Sequence, residues 1–241
     1  MNKVLGYILQ IIFFPIYILF KFIPMQIQEY YIRRHKDSFK ITRKNCIFIV
    51  NPKSGKWLGA RLYELLKEIH EPERTINLLE ENSLLKIKEF LKKTPKNEKL
   101  NVIVAGGDGS ITSIINETSK YLDDYERLIF LPFPLGVGND LSIMLNFGGN
   151  MDLYYIYKFF DKLNSENTME YFVDSWNVVF NYPDKKKEYL MLLYLGIGCD
   201  GAVAYTLHKL RKKFPFIFLF NKLTRLYYAF SHFSHWFPEL W

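Results

Sequence analysis

Between residues 46 and 133, short apolar runs alternate with longer segments in which apolar residues recur every three or four positions. The first pattern predicts buried strands and the second predicts amphipathic helices. The predicted strands are CIFIV (46–50), TINLLE (75–80), LNVIVA (100–105) and RLIFLPF (127–133). The predicted helices are 57–69, 83–94 with Ser83 as its N-cap, and a third that starts near Ser110. Strands that alternate with helices predict an α/β fold with a doubly wound parallel sheet.

Polar, glycine-containing loops follow three of these predicted strands. They are NPKSG after the first strand, GGDGS after the third and PLGVGND after the fourth. Any one of them could be an ordinary turn. Ligands of doubly wound sheets bind beyond the carboxyl ends of the strands, so three such loops together predict a binding site at that edge.

The GGDGS loop carries the most specific chemistry. Gly106, Gly107 and Gly109 are expected to take positive φ and to let the backbone approach a ligand closely. The helix predicted to follow would point its free amide groups at the same corner, where phosphate is the usual ligand. Asp108 would repel a bare phosphate, so it indicates a Mg²⁺ contact or a base that activates an attacking hydroxyl group. Neither a GxxxxGK[ST] motif nor a GxGxxG motif occurs in the chain.

The first 44 residues have a different character. Residues 4–23 form an apolar run that would be about 30 Å long as a helix, which predicts a membrane span. Gln10, Pro15 and Lys21 interrupt this run, so a kinked anchor in the membrane plane is also predicted. A signal peptide and a buried core helix are the alternatives. Six Lys or Arg residues against one Asp follow in 31–44, which predicts that the rest of the chain is cytoplasmic. This basic segment would contact anionic lipid or form a solvated linker.

Charge and cysteine content narrow the function classes. The chain has 241 residues, a net charge of +7 and two cysteines, too few for a disulfide framework or a zinc site. Nucleic acid is not expected as a partner, because the clustered positive charge adjoins the apolar segment. His232 and His235 are three residues apart without an obvious third ligand, so no structural metal site is predicted.

Five segments together resemble the lipid kinases of the diacylglycerol kinase family. They are IFIVNPKSGK, VIVAGGDGSITSIIN, LPFPLGVGNDLSIMLNFGG, FVDSWNVVF and YLGIGCDGAVAYTLHKLRKKFPFIFLFNKL, in this order between residues 46 and about 230. The resemblance implies an α/β nucleotide-binding lobe of the kind shared with NAD kinases at 45–168, after the anchor and basic segment of 1–44. It also implies a β-sandwich lobe, of which residues 169–241 would form the first part. This lobe is expected to be truncated at Trp241.

The same resemblance implies that ATP with Mg²⁺ phosphorylates diacylglycerol, a membrane lipid, to phosphatidic acid. Asp108 would be the catalytic base or metal-associated carboxylate, and Asp200 a second catalytic residue at the acceptor or, alternatively, a helix cap. The nucleotide would be bound by Asn51, Ser54, Gly55, Gly106, Gly107, Gly109, Ser110, Gly136, Gly138 and Asn139.

Supporting residues and departures from the family pattern leave other functions open. Asp140 would support the site, Lys53 and Lys56 would contact phosphate or solvent, and Asp174 with Trp176 is expected to be structural. Val137 replaces the family's threonine in the third loop, where one lost hydrogen bond would weaken nucleotide binding by about 1 kcal/mol. The alternatives are a kinase for a sphingoid base or ceramide, and an inactive membrane-bound nucleotide or lipid binder.

Overall fold

The computed structural model describes residues 15, 23–42, 45–55, 58–149, 153–165, 169–213, 226–229 and 231. The chain divides into two compact units, Gln28–Leu193 and a smaller one formed by Met1–Ile27 with Tyr194–Trp241. Almost all of the predicted anchor at 4–23 lies outside the described residues, as do Lys56, His232 and His235. None of the helices within the described ranges is long and apolar enough to cross a membrane.

The larger unit is built on a parallel sheet, as the alternating pattern predicts. Its strands are β1 (Cys46–Val50), β2 (Thr75–Asn77), β3 (Leu100–Gly106) and β4 (Leu128–Pro134). The spatial order is β2-β1-β3-β4, and all three neighbouring pairs are parallel. The strand order therefore reverses between β1 and β3, and the ligand site of a doubly wound sheet lies at such a switch point.

Helices cover both faces of this sheet. The described helices are α1 (Ile23–Arg34), α2 (Leu58–Ile69), α3 (Ser83–Lys93), α4 (Asp108–Tyr121), α5 (Asp140–Met144), α6 (Leu153–Asn164) and, in the smaller unit, α7 (Cys199–Lys213). Alternate residues of β1 point to opposite faces, so Phe48 packs with α2 and α6 while Ile49 packs with α3 and α4. Both faces are buried, which explains why the strands are continuous apolar runs.

A β-hairpin follows α6 in the larger unit. β5 (Trp176–Asn181) pairs antiparallel with β6 (Lys186–Met191), and Leu192 and Leu193 pack against the core that contains α4. The β-sandwich lobe expected from 169 onward stays a prediction, since the described part of that range contains this hairpin, α7 and helical residues at 226–229 and 231.

Three predicted element boundaries are wrong. β2 ends at Asn77 instead of residue 80, because the side chain of Asn77 accepts the amide of Leu79 and turns the chain. Ser83 is the buried first residue of α3 rather than its N-cap. α4 begins at Asp108 rather than near Ser110, so the carboxylate belongs to the first helical turn.

His70, just after α2, carries a polar ring into the aromatic core. Its ring stacks on Phe48 and Phe160, with centroid distances of 5.1 and 5.9 Å. Its Nε2 atom is buried and has no hydrogen-bond partner within the described residues. Burial, aided by the positive charge of Arg74, lowers the pKa of His70 to about 4. The ring is therefore neutral in the folded protein at neutral pH.

We expect this histidine to make the fold less stable in mild acid. Between pH 6.5 and 4 the unfolded chain binds a proton that the folded chain does not, so stability falls as pH falls through this window. From pH 7.5 to 5.0 the loss due to His70 should reach at most about 2 kcal/mol. Urea titrations of the parent and His70→Phe at both pH values measure it, with the exposed His35→Gln as control. An equal pH dependence in parent and His70→Phe would contradict the assignment.

Candidate active site

Three loops converge at the switch point of the sheet, as the sequence predicts. The loop after β1 is tied to β3 by the amide of Asn51, which donates to the carbonyl of Ala105 at 2.9 Å. The loop after β4 is tied to β3 by the amide of Leu135, which donates to the carbonyl of Gly106 at 2.9 Å. All three loops therefore lie at one edge of the sheet, in fixed register.

Two glycines of these loops are required for close packing within the site. A Cβ atom on Gly106 would lie 2.5 Å from the Ser110 side chain, and one on Gly136 would lie 2.8 Å from the Cα of Gly107. Gly109, in contrast, is exposed and has no neighbouring atom within 4 Å of a Cβ position. Close approach by a ligand is therefore possible at Gly109, while Gly106 and Gly136 serve the packing of the site itself.

The expectation of positive φ at Gly106, Gly107 and Gly109 is wrong. Left-handed backbone occurs instead at Gly55, with φ of 63°, and at Asn139, with φ of 57°. Gly55 lies where the loop after β1 turns into α2, and a Cβ there would lie 3.0 Å from the carbonyl oxygen of Leu135. The tight turns of the site thus lie in its first and third loops rather than in GGDG.

Asp108 is held by the backbone of the third loop. Its Oδ2 atom accepts the amide of Asp140 at 3.1 Å, and its Oδ1 atom accepts the amide of Leu141 at 3.0 Å. Both amides belong to the first turn of α5, where backbone N–H groups lack intrahelical partners. The half-buried carboxylate therefore joins the first turns of α4 and α5 and is fixed in one orientation.

Asn139 shapes the third loop with its whole side chain. Its Oδ1 accepts the amide of Gly136 at 2.7 Å, and its Nδ2 donates to the carbonyls of Gly136 and Gly149 at 3.0 and 2.9 Å. The residue is only 2% exposed. Its side chain thus shapes the loop that presents the α5 amides to Asp108, while its part in closing a nucleotide site stays a prediction.

The first loop is fastened to the second by side chains. Asn51 donates from Nδ2 to the Oγ atom of Ser110 at 2.9 Å, and its Oδ1 accepts the amide of Lys53 at 3.0 Å. Ser54 donates its amide to the carbonyl of Asn51 and accepts the amide of Gly59 at its own carbonyl. Asn51 and Ser110 thus hold the first two loops together, Ser54 connects the first loop to α2, and the Lys53 side chain is exposed.

Two carboxylates flank Gly138, at the exposed tip of the third loop. A Cβ on Gly138 would lie 3.6 Å from both Asp140 carboxylate oxygens and 3.7 Å from Oδ2 of Asp108. No group of three acidic, histidine or cysteine side chains in the described ranges could hold a metal ion alone. Mg²⁺, however, commonly binds one or two carboxylates together with substrate phosphates. The Asp108–Asp140 pair fits a metal ion that arrives with a nucleotide.

The remaining predicted residues do not belong to the three loops. Asp200 is exposed in the first turn of α7, in the smaller unit. The alternative of Asp200 as a cap ahead of the helix is wrong, because α7 already begins at Cys199. Asp174 and Trp176 are exposed at the start of β5. The role of Asp200 at an acceptor stays a prediction.

Sequence reasoning missed two features of the site. The amides of Asp140 and Leu141 are backbone groups, so no side-chain pattern marks them. Gly59 packs its Cα face against the first loop, where a Cβ would lie 2.2 Å from the carbonyl oxygen of Asn51. A glycine in the first turn of an otherwise good amphipathic helix was the available signal for this close approach.

Comparison with known proteins identifies a matching family model and several relatives. The family model described as "Diacylglycerol kinase catalytic domain" matches residues 45–168. "Probable diacylglycerol kinase 3" of Caenorhabditis elegans is 25% identical over an alignment of 194 residues that covers 76% of this chain and 24% of that protein. "Diacylglycerol kinase 2" of Arabidopsis thaliana is 28% identical over 193 residues, covering 76% of this chain and 26% of the relative.

A second Arabidopsis thaliana protein, "Diacylglycerol kinase 1", is 27% identical over an alignment of 216 residues that covers 84% of this chain and 29% of that protein. The chain thus spans 24% to 29% of the length of these relatives. No solved structure matches it. The matched range 45–168 contains all three loops of the candidate site.

Proposed function

The chain belongs to the diacylglycerol kinase catalytic-domain family, and from this premise we propose that it is a lipid kinase. It would transfer the γ-phosphoryl group of ATP to the free hydroxyl group of diacylglycerol and release ADP and phosphatidic acid. The observation that carries the proposal is the Asp108 carboxylate, fixed by two amides of α5 where three loops meet at the switch point.

The chemistry requires one new P–O bond and one broken P–O bond. The acceptor hydroxyl oxygen attacks the γ-phosphorus, the bond to ADP breaks, and the hydroxyl proton passes to a base. Asp108 is the proposed base, because a carboxylate held rigidly can accept the proton without rearranging. The first turn of α4, exposed at Gly109, offers backbone N–H groups to the nucleotide phosphates.

ATP and Mg²⁺ are part of the proposal. Bound Mg²⁺ would neutralise charge on the phosphoryl oxygens of the nucleotide. Asp140 would hold it, since its carboxylate borders the same exposed glycine, Gly138, as the proposed base Asp108. Asp200 remains a proposed acceptor-side residue, on the strength of the family resemblance.

We also propose that the protein works at a membrane, with its catalytic domain in the cytoplasm. Its proposed acceptor resides in a bilayer, and the apolar run at 4–23 is followed by the basic segment at 31–44. An enzyme attached to the membrane would meet diacylglycerol without a separate lipid-binding module.

Radiolabelled phosphate transfer in mixed micelles tests the proposed activity. We expect phosphatidic acid to form from ATP and diacylglycerol with Mg²⁺ and to be absent when EDTA removes the metal. Sphingosine and ceramide, assayed side by side, test the acceptor. Product from a sphingoid base or ceramide alone would overturn the acceptor assignment, and ATP binding without transfer to any acceptor would indicate an inactive binder.

A further inference from the structure

α1 is attached firmly to the catalytic unit along one face. Arg61 of α2 donates to the Glu29 carboxylate at 2.7 Å, and both side chains are largely buried. Arg33 pairs with Glu68 of α2 at 3.0 Å, and Ile32 is buried in the core. Two ion pairs and a buried anchor therefore fix the rotation of α1 about its own axis.

The opposite face of α1 is apolar and exposed. Ile23, Ile27 and Tyr30 recur at helical spacing and are 43%, 63% and 65% exposed, with Tyr31 beside them at 45%. Ordinary amphipathic helices turn such a stripe inward. In α1 the charged Glu29 and Arg33 are used on the face that contacts α2, so the apolar stripe lies on the other side of the helix.

From this reversed polarity we infer that the outer stripe of α1 (Ile23, Ile27, Tyr30 and Tyr31) is a docking surface that lies flat on an anionic bilayer. At 12 residues α1 is about 18 Å long, too short to span the hydrocarbon core but suited to the interface. Tyrosine favours that interface, because its ring is apolar and its hydroxyl group is polar.

Two further observations favour a bilayer as the occupant. The apolar run of residues 4–23 leads directly into the first residue of α1. Arg34 continues the stripe at its C-terminal end and Lys36 follows, both exposed, which places positive charge where lipid head groups would lie. A protein partner would need neither the preceding apolar run nor the basic end.

This docking would orient the candidate site. Arg61 lies one turn inside α2, the helix that follows the loop of Asn51 and Gly55. The rigid connection from bilayer through α1 and α2 thus ends at that loop. The inference rests on the proposed function in one respect, namely that a lipid kinase works close to a bilayer. The docking itself can be tested without enzymatic activity.

Site-specific fluorescence on the full chain tests this surface. Ile27→Cys, Tyr30→Cys and, as control, Leu85→Cys on α3 are each labelled with an environment-sensitive dye in a Cys199→Ser background. Leu85 is 56% exposed, similar to the other two, and Cys46 is too buried to label. With vesicles of phosphatidylcholine and phosphatidylserine, the dyes at 27 and 30 should shift to the blue and resist an aqueous quencher, while the dye at 85 should not.

Charge substitution completes the test. Lys36→Gln should lower the apparent affinity for phosphatidylserine vesicles about fivefold and leave phosphatidylcholine binding unchanged. An unshifted dye at 27 and 30 with vesicles, or equal shifts at all three positions, would overturn the inference. So would a shift already present without vesicles, because a second copy or another part of the chain would then cover the stripe. If the parent protein shows no phosphoryl transfer but the dyes at 27 and 30 still shift with vesicles, the proposed function is wrong and the docking surface is retained.

Discussion

Asp108→Asn should lower phosphoryl transfer to diacylglycerol about 10²- to 10⁴-fold, the usual contribution of a positioned general base. The variant keeps the shape of the side chain and loses the charge and the basicity. One of its two end atoms becomes an NH₂ group that faces a backbone N–H of Asp140 or Leu141 instead of accepting from it. The assay is initial-rate transfer from labelled ATP at saturating acceptor.

The size of the loss separates catalysis from structure. Loss of the capping contact to α5 alone should cost about 1 kcal/mol of folding stability, which leaves the protein folded at assay temperature. Thermal unfolding of the same preparation therefore has to show only a small shift. Asp123→Asn, an exposed carboxylate just beyond the other end of α4, is the matched control and should be as active as the parent. Undiminished transfer by Asp108→Asn would remove Asp108 from the mechanism.

The parallel sheet could be predicted because each of its strands is buried on both faces. A strand in that position must be apolar throughout, so the run CIFIV marked β1 from its first to its last residue. The same reasoning failed at β2, where Leu78 and Leu79 continue the apolar run beyond the end of the strand. There the Asn77 side chain decides the local geometry, and hydrophobicity carries no information about it.

The location of the site could also be predicted, but its internal geometry could not. Topology brings the carboxyl ends of parallel strands to one edge, so the three loops had to meet. Which donor and acceptor atoms then form hydrogen bonds depends on differences in atomic position of less than about one ångström. The partners of Asp108 are backbone amides more than thirty positions away, and any residue at positions 140 and 141 except proline would supply them.

Asn139 illustrates both what the sequence predicts and what it leaves open. An asparagine before a short helix predicts a cap, and asparagine tolerates left-handed backbone better than most residues. The structure uses the second property: Asn139 takes positive φ and binds Gly136 and Gly149 rather than capping α5 with its side chain. A sequence pattern can thus identify a special position while leaving its mechanical role undetermined.

The second large effect should come from two glycine-to-alanine substitutions that have opposite signs. Gly59 and Gly109 are each the second residue of a helix, α2 and α4. Alanine normally stabilises a helix relative to glycine by about 1 kcal/mol. Gly109→Ala should follow this rule, because its Cβ would meet no atom within 4 Å.

Gly59→Ala should instead destabilise the protein by several kcal/mol, in the range found for overpacked or strained sites. Its Cβ would lie 2.2 Å from the carbonyl oxygen of Asn51, and a backbone carbonyl cannot swing aside as a flexible side chain can. Relief requires α2 to move away from the first loop, which would also break the hydrogen bond from Gly59 to Ser54. Urea unfolding of both variants and the parent measures the effect. An unchanged or raised stability of Gly59→Ala would contradict the close packing of α2 against the loop that carries Asn51.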